Sequence, residues 1–230
     1  AARGTWLTRS CPDRAVPGAP RMAVAAARAL RVGLFGGAFD PPHLAHRLLV
    51  ETAMAQLQLD VMHVLPTGHA WHKRRDLSPA PQRLAMAQLA FADLPGVRVD
   101  GRELLRGGPT YTVDTVRELQ REYPGAVLHL LIGADQAAAF QSWHEWQAIV
   151  RDAIICIAQR AHATGASNVM DATISASNLP GARVEFLSMP AMDTSATDIR
   201  TRVAAHLGID HLVSAAVARY IDQHHLYRTV

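Results

Sequence analysis

Lysine is nearly missing from this chain: of 23 basic residues only Lys73 is a lysine, and the other 22 are arginine. The net charge of +3 therefore comes from neither a lysine-rich tail nor a polybasic membrane block. No apolar stretch reaches the length of a bilayer span before Arg, Gly or Pro interrupts it, so no membrane-spanning helix and no membrane partner are expected. The two cysteines, Cys11 and Cys156, make neither a disulfide framework nor a metal spacing, which favours a reducing, cytoplasmic setting. Two nucleotide signatures are also absent, G-x-G-x-x-G and the Gly-Lys-Ser/Thr end of a P-loop. Apart from the mild arginine excess nothing points to nucleic acid. What remains is a 230-residue chain, 49% hydrophobic, with ample material for one α/β core.

Residues 1–30 differ from the rest, with five Arg, three Pro and a single acid. They read as an irregular N-terminal extension outside the core, similar in composition to a transit peptide or a solvated tail. Residues 31–230 read as one catalytic domain. Apolar runs at Val61–Leu65, Val97–Val99, Val127–Ile132, Ala153–Ala158 and Arg183–Leu187 predict strands. Between them Pro81–Asp93 predicts an amphipathic helix with Leu84, Ala87, Leu89 and Phe91 inside, and Val113–Tyr123 a second helix capped by Thr112. A last helix, Val213–His224, covers the sheet. The expected fold is α/β: a Rossmann-like, doubly wound, mostly parallel sheet with a small C-terminal helical part.

The stretch from Val32 to His46 organises this pattern. Val32–Phe35 suits a buried strand that ends at Gly36-Gly37, where the backbone turns without a Cβ in the way. Asp40 is a good N-cap and Pro41-Pro42 suit the first helical positions, which predicts a helix from Pro41. His43 and His46 then share one side of its first turn, beside free N–H groups and the positive end of the dipole. Such a place favours an anion. A second anion site is predicted at Thr194–Arg200, where Ser195 and Asp198 form a capping-box pattern. Arg200 lies in the first turns of that helix, where the dipole disfavours a cation unless an anion such as a phosphate compensates it.

Other polar groups cluster at predicted strand ends, where open α/β sheets place ligands. The loop His69–Arg75 offers His72, Lys73 and Arg74 to a phosphate. Asp135, after Gly133, can accept hydrogen bonds from ribose hydroxyls. Trp143 offers a flat face for stacking on a heteroaromatic ring, and Trp146 reads as core. The connection Asp100–Thr112 is long and glycine-rich, as functional connections often are.

These stretches resemble the nicotinate-nucleotide adenylyltransferases of the nucleotidyltransferase superfamily. Val32–His46 is similar to their (T/G)xFDPxHxGH signature, with Ala45 in place of a glycine. Glu103–Thr112 matches E-L-x-R-x-G-P-S/T-Y-T, Ile132–Asp135 matches I-G-x-D, and Thr194–Arg200 matches I-S-x-T-x-I-R with Thr194 for Ile. Lys73 falls in a P-x-x-x-x-x-H-K/R loop, and Arg160 at a position where the family commonly has Arg. The resemblance implies transfer of the adenylyl group of ATP to nicotinate mononucleotide, giving deamido-NAD and pyrophosphate. It implies that His43, His46, Lys73 and Arg200 act on the phosphates, and that Gly36, Gly37, Phe39, Gly133, Asp135, Ser195 and Thr197 bind ATP. His72, Thr110, Tyr111, Thr112 and Trp143 would meet the pyridine nucleotide. Mg²⁺ would arrive with ATP, held by phosphates and not by the protein. A homo-oligomer is left open. Three alternatives stand beside this reading: another transferase of the superfamily, such as one acting on phosphopantetheine, a zinc site built from the H-x-x-H pairs His43/His46 and His69/His72, and a non-catalytic nucleotide-binding module.

Overall fold

Strands and helices alternate along the chain, as the apolar runs predict. The computed structural model describes residues 28–68, 77–160, 179–190 and 192–228. In chain order the elements are β1 (Arg31–Gly37), α1 (Leu44–Gln56), β2 (Val61–Pro66), α2 (Ala80–Phe91), β3 (Val97–Val99), α3 (Arg102–Leu105), α4 (Thr112–Glu122), β4 (Val127–Gly133), α5 (Ala134–Ala138), a 3₁₀ turn (Phe140–Ser142), α6 (Trp146–Asp152), β5 (Ile154–Arg160), β6 (Val184–Met189), α7 (Ala196–Ala204) and α8 (Ala215–Gln223). The strands form one sheet in the order β3-β2-β1-β4-β5-β6, and every pair is parallel. This is the doubly wound Rossmann-like order, and its direction reverses between β1 and β4.

Successive side chains of a strand point to opposite faces, so each strand feeds two cores. Val32, Leu34, Leu130 and Ile155 pack with Val116, Leu119 and Ile149 of α4 and α6. Phe35, Met62, Leu131 and Leu187 pack on the opposite face with Val50, Met86, Val217 and Ile221 of α1, α2 and α8. Burial on both faces explains why the strands read as continuous apolar runs. Cys156 belongs to this interior, and burial pushes its thiol up to about 12, so it packs as a small apolar group. None of the described helices is long and apolar enough to cross a membrane.

Several expectations need correction. The buried stripe of α2 is Met86, Ala87, Ala90 and Phe91, with Arg83 among them, while Leu89 is exposed. The helix α8 covers the sheet as expected, beside α2, through Val217 and Ile221. Thr112 is the first residue of α4 and Tyr111 its N-cap, and the connection before it contains the short helix α3. The strand β1 runs on through Gly36 and Gly37. At Gly37 the need for glycine is steric: a Cβ there would meet the ring of Phe39 at 3.0 Å. Before β1, Arg28 pairs with Asp60 at 2.7 Å and Leu30 O accepts Val127 N–H at 2.8 Å, so residues 28–30 are tied to the sheet.

Candidate active site

The turn from β1 into α1 differs from its expected form in one instructive way. The helix begins at Leu44, with His43 in extended conformation as its N-cap, and Asp40 is not the cap. The carboxylate of Asp40 is engaged elsewhere: it accepts Ser78 N–H at 3.2 Å and the Tyr227 hydroxyl at 2.6 Å. The peptide bond between Asp40 and Pro41 is cis. Two N–H groups expected to face an anion are also engaged, Leu44 N–H with Leu212 O at 2.9 Å and His43 N–H with His46 Nδ1 at 3.2 Å. What the start of α1 presents to the cleft is therefore its two imidazoles. With Nδ1 of His46 accepting, its neutral ring carries the proton on Nε2, which is then a donor. The two rings stack with centroids 3.7 Å apart. Phe39, at φ 47°, sits 5.2 Å from the His46 ring and is itself buried against Phe35 and Phe91. Its place is beneath the imidazole, as a support.

The second predicted anion site meets the first. Ser195 caps α7, its hydroxyl accepting Asp198 N–H at 3.1 Å. Arg200 reaches back from α7 across 160 positions of sequence and donates to the Asp40 carbonyl at 2.8 Å and to Thr197 Oγ1 at 3.0 Å. These contacts use part of its five-donor fork and fix the direction of the rest.

A cleft of about 480 Å³ lies at the carboxyl ends of β1 and β4, where ligands of open α/β sheets sit. From the α1/α7 side His43, His46, Thr197 and Arg200 line it, and Gly36, Gly37 and Phe39 form its base. From the α4/α6 side come Thr110, Tyr111, Thr112 and Trp143, with Gly133 between the two groups. The ring of Trp143 stacks on Phe140 at 4.9 Å, and that of Tyr111 lies 4.3 Å from His144. Asp135 is exposed at the start of α5, and neither it nor Ser195 is among the lining residues. His72 and Lys73 lie outside the described residues, as do His69, Arg74 and the side chain of Arg160.

Sequence reasoning missed two residues, Arg83 behind the cleft and Glu103 in its lining. Arg83, 3% exposed, donates from Nε to Ser78 O at 3.0 Å and from one terminal nitrogen to Ala38 O at 3.0 Å and Thr67 O at 2.9 Å. It thus joins the ends of β1 and β2 to the entry of α2. Its signal was available: an arginine on the apolar stripe of a helix must find acceptors in the interior. Glu103 lines the cleft and is buried, its carboxyl accepting from Thr115 Oγ1 at 2.9 Å. Burial pushes it up to about 7 against the opposing pull of that hydrogen bond and of Arg106. Nearby, Thr110 Oγ1 is buried and has no hydrogen-bond partner among the described residues.

Among the described residues no three His, Cys, Asp or Glu side chains gather as ligands, and Nδ1 of His46 already accepts a backbone N–H; His69 and His72, the other pair of the zinc alternative, lie outside the described residues. Comparison with known proteins points the same way as the cleft. A family model described as Cytidylyltransferase-like matches residues 34–202. A protein of Albidiferax ferrireducens named "Probable nicotinate-nucleotide adenylyltransferase" is 58% identical over 199 residues, covering 86% of this chain and 98% of its own. A protein of the same name from Methylibium petroleiphilum is 40% identical over 201 residues, covering 86% of this chain and 92% of its own. In three dimensions the chain is similar to Plasmodium falciparum nicotinic acid mononucleotide adenylyltransferase complexed with NaAD. The TM-score is 0.68 at 15% identity, with 86% of this chain and 97% of that one covered, a likeness of fold. With its two phosphate-type motifs brought to one cleft and relatives that match nearly end to end, the chain belongs to the cytidylyltransferase-like nucleotidyltransferases, among the nicotinate-nucleotide adenylyltransferases.

Proposed function

We propose that this cleft joins ATP and nicotinate mononucleotide, giving deamido-NAD and pyrophosphate, and so performs a step of NAD biosynthesis. The observation that carries the reading is the bond from Arg200 to the Asp40 carbonyl, because it sets the guanidinium beside the His43/His46 pair in a cleft that Trp143 shares. An oxygen of the mononucleotide phosphate attacks the α-phosphorus of ATP in line. One P–O bond forms, the bond to the β-phosphate oxygen breaks, and its electron pair leaves with pyrophosphate. No covalent enzyme intermediate is needed, so the work of the protein is alignment and charge stabilisation.

In this scheme His43, His46 and Arg200 receive the charge that grows on the leaving pyrophosphate, and Lys73 adds to them. Gly36 and Gly37 leave room for the α-phosphate, and Thr197 orients the arginine fork. Gly133 and Asp135 serve the ribose, and Ser195 serves the phosphates through the start of α7 that it caps. The pyridine stacks on Trp143, with Thr110, Tyr111 and Thr112 around its carboxylate and His72 on its phosphate. Mg²⁺ enters as part of MgATP. The carboxylate of Asp40, which lines the cleft, already accepts from Ser78 and Tyr227, so the metal is better held by phosphate oxygens and water. Residues 31–230 form the catalytic unit, in a cytoplasmic enzyme.

The test supplies the purified chain with MgATP and each pyridine mononucleotide in turn and follows pyrophosphate release. Release should be fastest with the nicotinate form. No release above that of ATP alone with either mononucleotide would overturn the proposal.

A further inference from the structure

The C-terminal segment reaches the candidate active site at two separate points. The hydroxyl of Tyr227 donates to Asp40 Oδ1 at 2.6 Å, a contact that spans 187 positions of sequence. Leu212 O accepts the N–H of Leu44, the first residue of α1, at 2.9 Å. Asp40 is 1% exposed and is held from three directions: Tyr227 on one carboxylate oxygen, Ser78 N–H on the other, and Arg200 on its main-chain carbonyl. It stands three residues before His43. A buried carboxylate that loses a hydrogen-bond donor must shift or take another partner, and here a shift would carry both the arginine and the imidazole pair with it.

We propose that Tyr227 is a positioning residue for the phosphate side of the cleft: by pinning Asp40 it sets where Arg200 and the paired imidazoles stand. The C-terminal segment is then part of the active-site frame. Tyr227 is not among the residues that line the cleft, and nothing in the proposed mechanism uses its proton. Burial, together with the Asp40 carboxylate, holds its phenol well above the usual tyrosine range, so it remains a donor throughout the working pH. The inference rests on the reading that this side of the cleft holds ATP.

The test is Tyr227→Phe in the full chain, with ATP and nicotinate mononucleotide varied separately. Loss of one hydrogen bond to a buried charged group should lower kcat/KM for ATP roughly ten-fold. KM for the mononucleotide should stay within about two-fold, because that substrate lies against other residues. Leu226→Ala is the control, since Leu226 is a buried apolar anchor of the same segment with no hydrogen bond to Asp40. It should lower Tm while leaving kcat/KM for ATP near wild type. Asp40→Asn keeps the volume and turns one acceptor into a donor, so it should reproduce the Tyr227→Phe signature. Adding Tyr227→Phe to it should then cost little more. The proposal fails if folded Tyr227→Phe or Asp40→Asn keeps wild-type kcat/KM for ATP, or if Leu226→Ala lowers it equally. Should the wild type turn over neither mononucleotide, the reading of function fails by itself. Calorimetric ATP binding then still decides this one, about ten-fold weaker in Tyr227→Phe if Tyr227 positions the site and unchanged if it only packs.

Discussion

On the α1/α7 side of the cleft the polar groups are anchored in the interior, whereas on the α4/α6 side the substrate-facing groups ride on short and partly exposed elements. Asp40 and Arg83 are 1% and 3% exposed and together hold the ends of β1 and β2, the entry of α2, the guanidinium of Arg200 and the C-terminal Tyr227. Across the cleft, α3 has four residues, Leu105 at its end is 87% exposed, and Gly108 follows at φ 83°. Tyr111 and Trp143 are braced by ring contacts with His144 and Phe140. Triphosphate chemistry is common to every nucleotidyltransferase and gains from groups that do not reorganise as charge moves. Recognition of one acceptor belongs on a loop that can vary without disturbing that frame. Under the proposed function the anchored side carries rate, and the loop side carries choice.

The sharpest way to break this division is His43→Ala. Oxyanion-type contacts are worth roughly 10²–10³ in rate. The variant should keep the fold and lose about that factor in kcat, measured by pyrophosphate release at saturating substrates. Turnover within a few-fold of wild type would show that the imidazole does not meet developing charge. Arg83→Met comes next and tests the frame itself. It leaves the partly buried carbonyls of Ala38, Thr67 and Ser78 without this donor, and urea unfolding should show a loss of about 1–3 kcal/mol. An unchanged urea midpoint would mean that the three segments hold one another without it.

Glu103 gives a pH test of the opposite wall. Its folded carboxyl titrates at about 7, above the ordinary 4.5, because burial disfavours the ion. The folded chain therefore keeps a proton that the unfolded chain has released. Its contribution to stability is complete below about pH 4.5, is lost as pH rises, and levels off above about pH 7. The change is of the order of 3 kcal/mol. Denaturant titrations from pH 4 to 8 should show this decline in the wild type and not in Glu103→Gln, whose amide oxygen can still accept from Thr115. Taking the difference between the two proteins removes other groups, such as Asp100, which burial would raise but which hydrogen bonds from His63 and Arg102 hold well below the usual carboxylate range. A parallel pair of curves would rule out the buried acid.

The fold was legible because the strands are buried on both faces, so apolar runs such as Val127–Ile132 stand out from the amphipathic helices between them. The stretches that carry His43, His46 and Arg200 were legible too, as short local patterns, and the meeting of these residues in one cleft follows from the winding of the sheet. What sequence could not show are contacts made across the chain. Asp40 has the chemistry of an N-cap, and nothing local says that Ser78 and Tyr227 take its carboxylate and leave the cap to His43. Thr112 and Leu89 failed in the same manner: a local preference lost to the direction from which a neighbouring element packs. Asp135 carries a motif residue whose carboxylate stands exposed beside the cleft.

Trp143→Ala carries the smallest expected effect and sharpens the comparison most directly. Its ring stacks on Phe140, so truncation removes some packing as well as a platform for the pyridine. Aromatic stacking on a heteroaromatic base is worth about 1–3 kcal/mol when cut to alanine. KM for nicotinate mononucleotide should therefore rise roughly ten-fold, with KM for ATP and kcat changed by less than about three-fold. Trp143→Phe, which keeps an aromatic face, should recover most of the loss at a Tm close to that of wild type. The informative outcome is the contrast between substrates, because general loosening would raise both KM values together. An equal rise for ATP would mean that the two sides of the cleft are not separable and that the loop side helps hold the triphosphate. A rise confined to the mononucleotide would place acceptor choice on the wall that carries Tyr111 and Trp143.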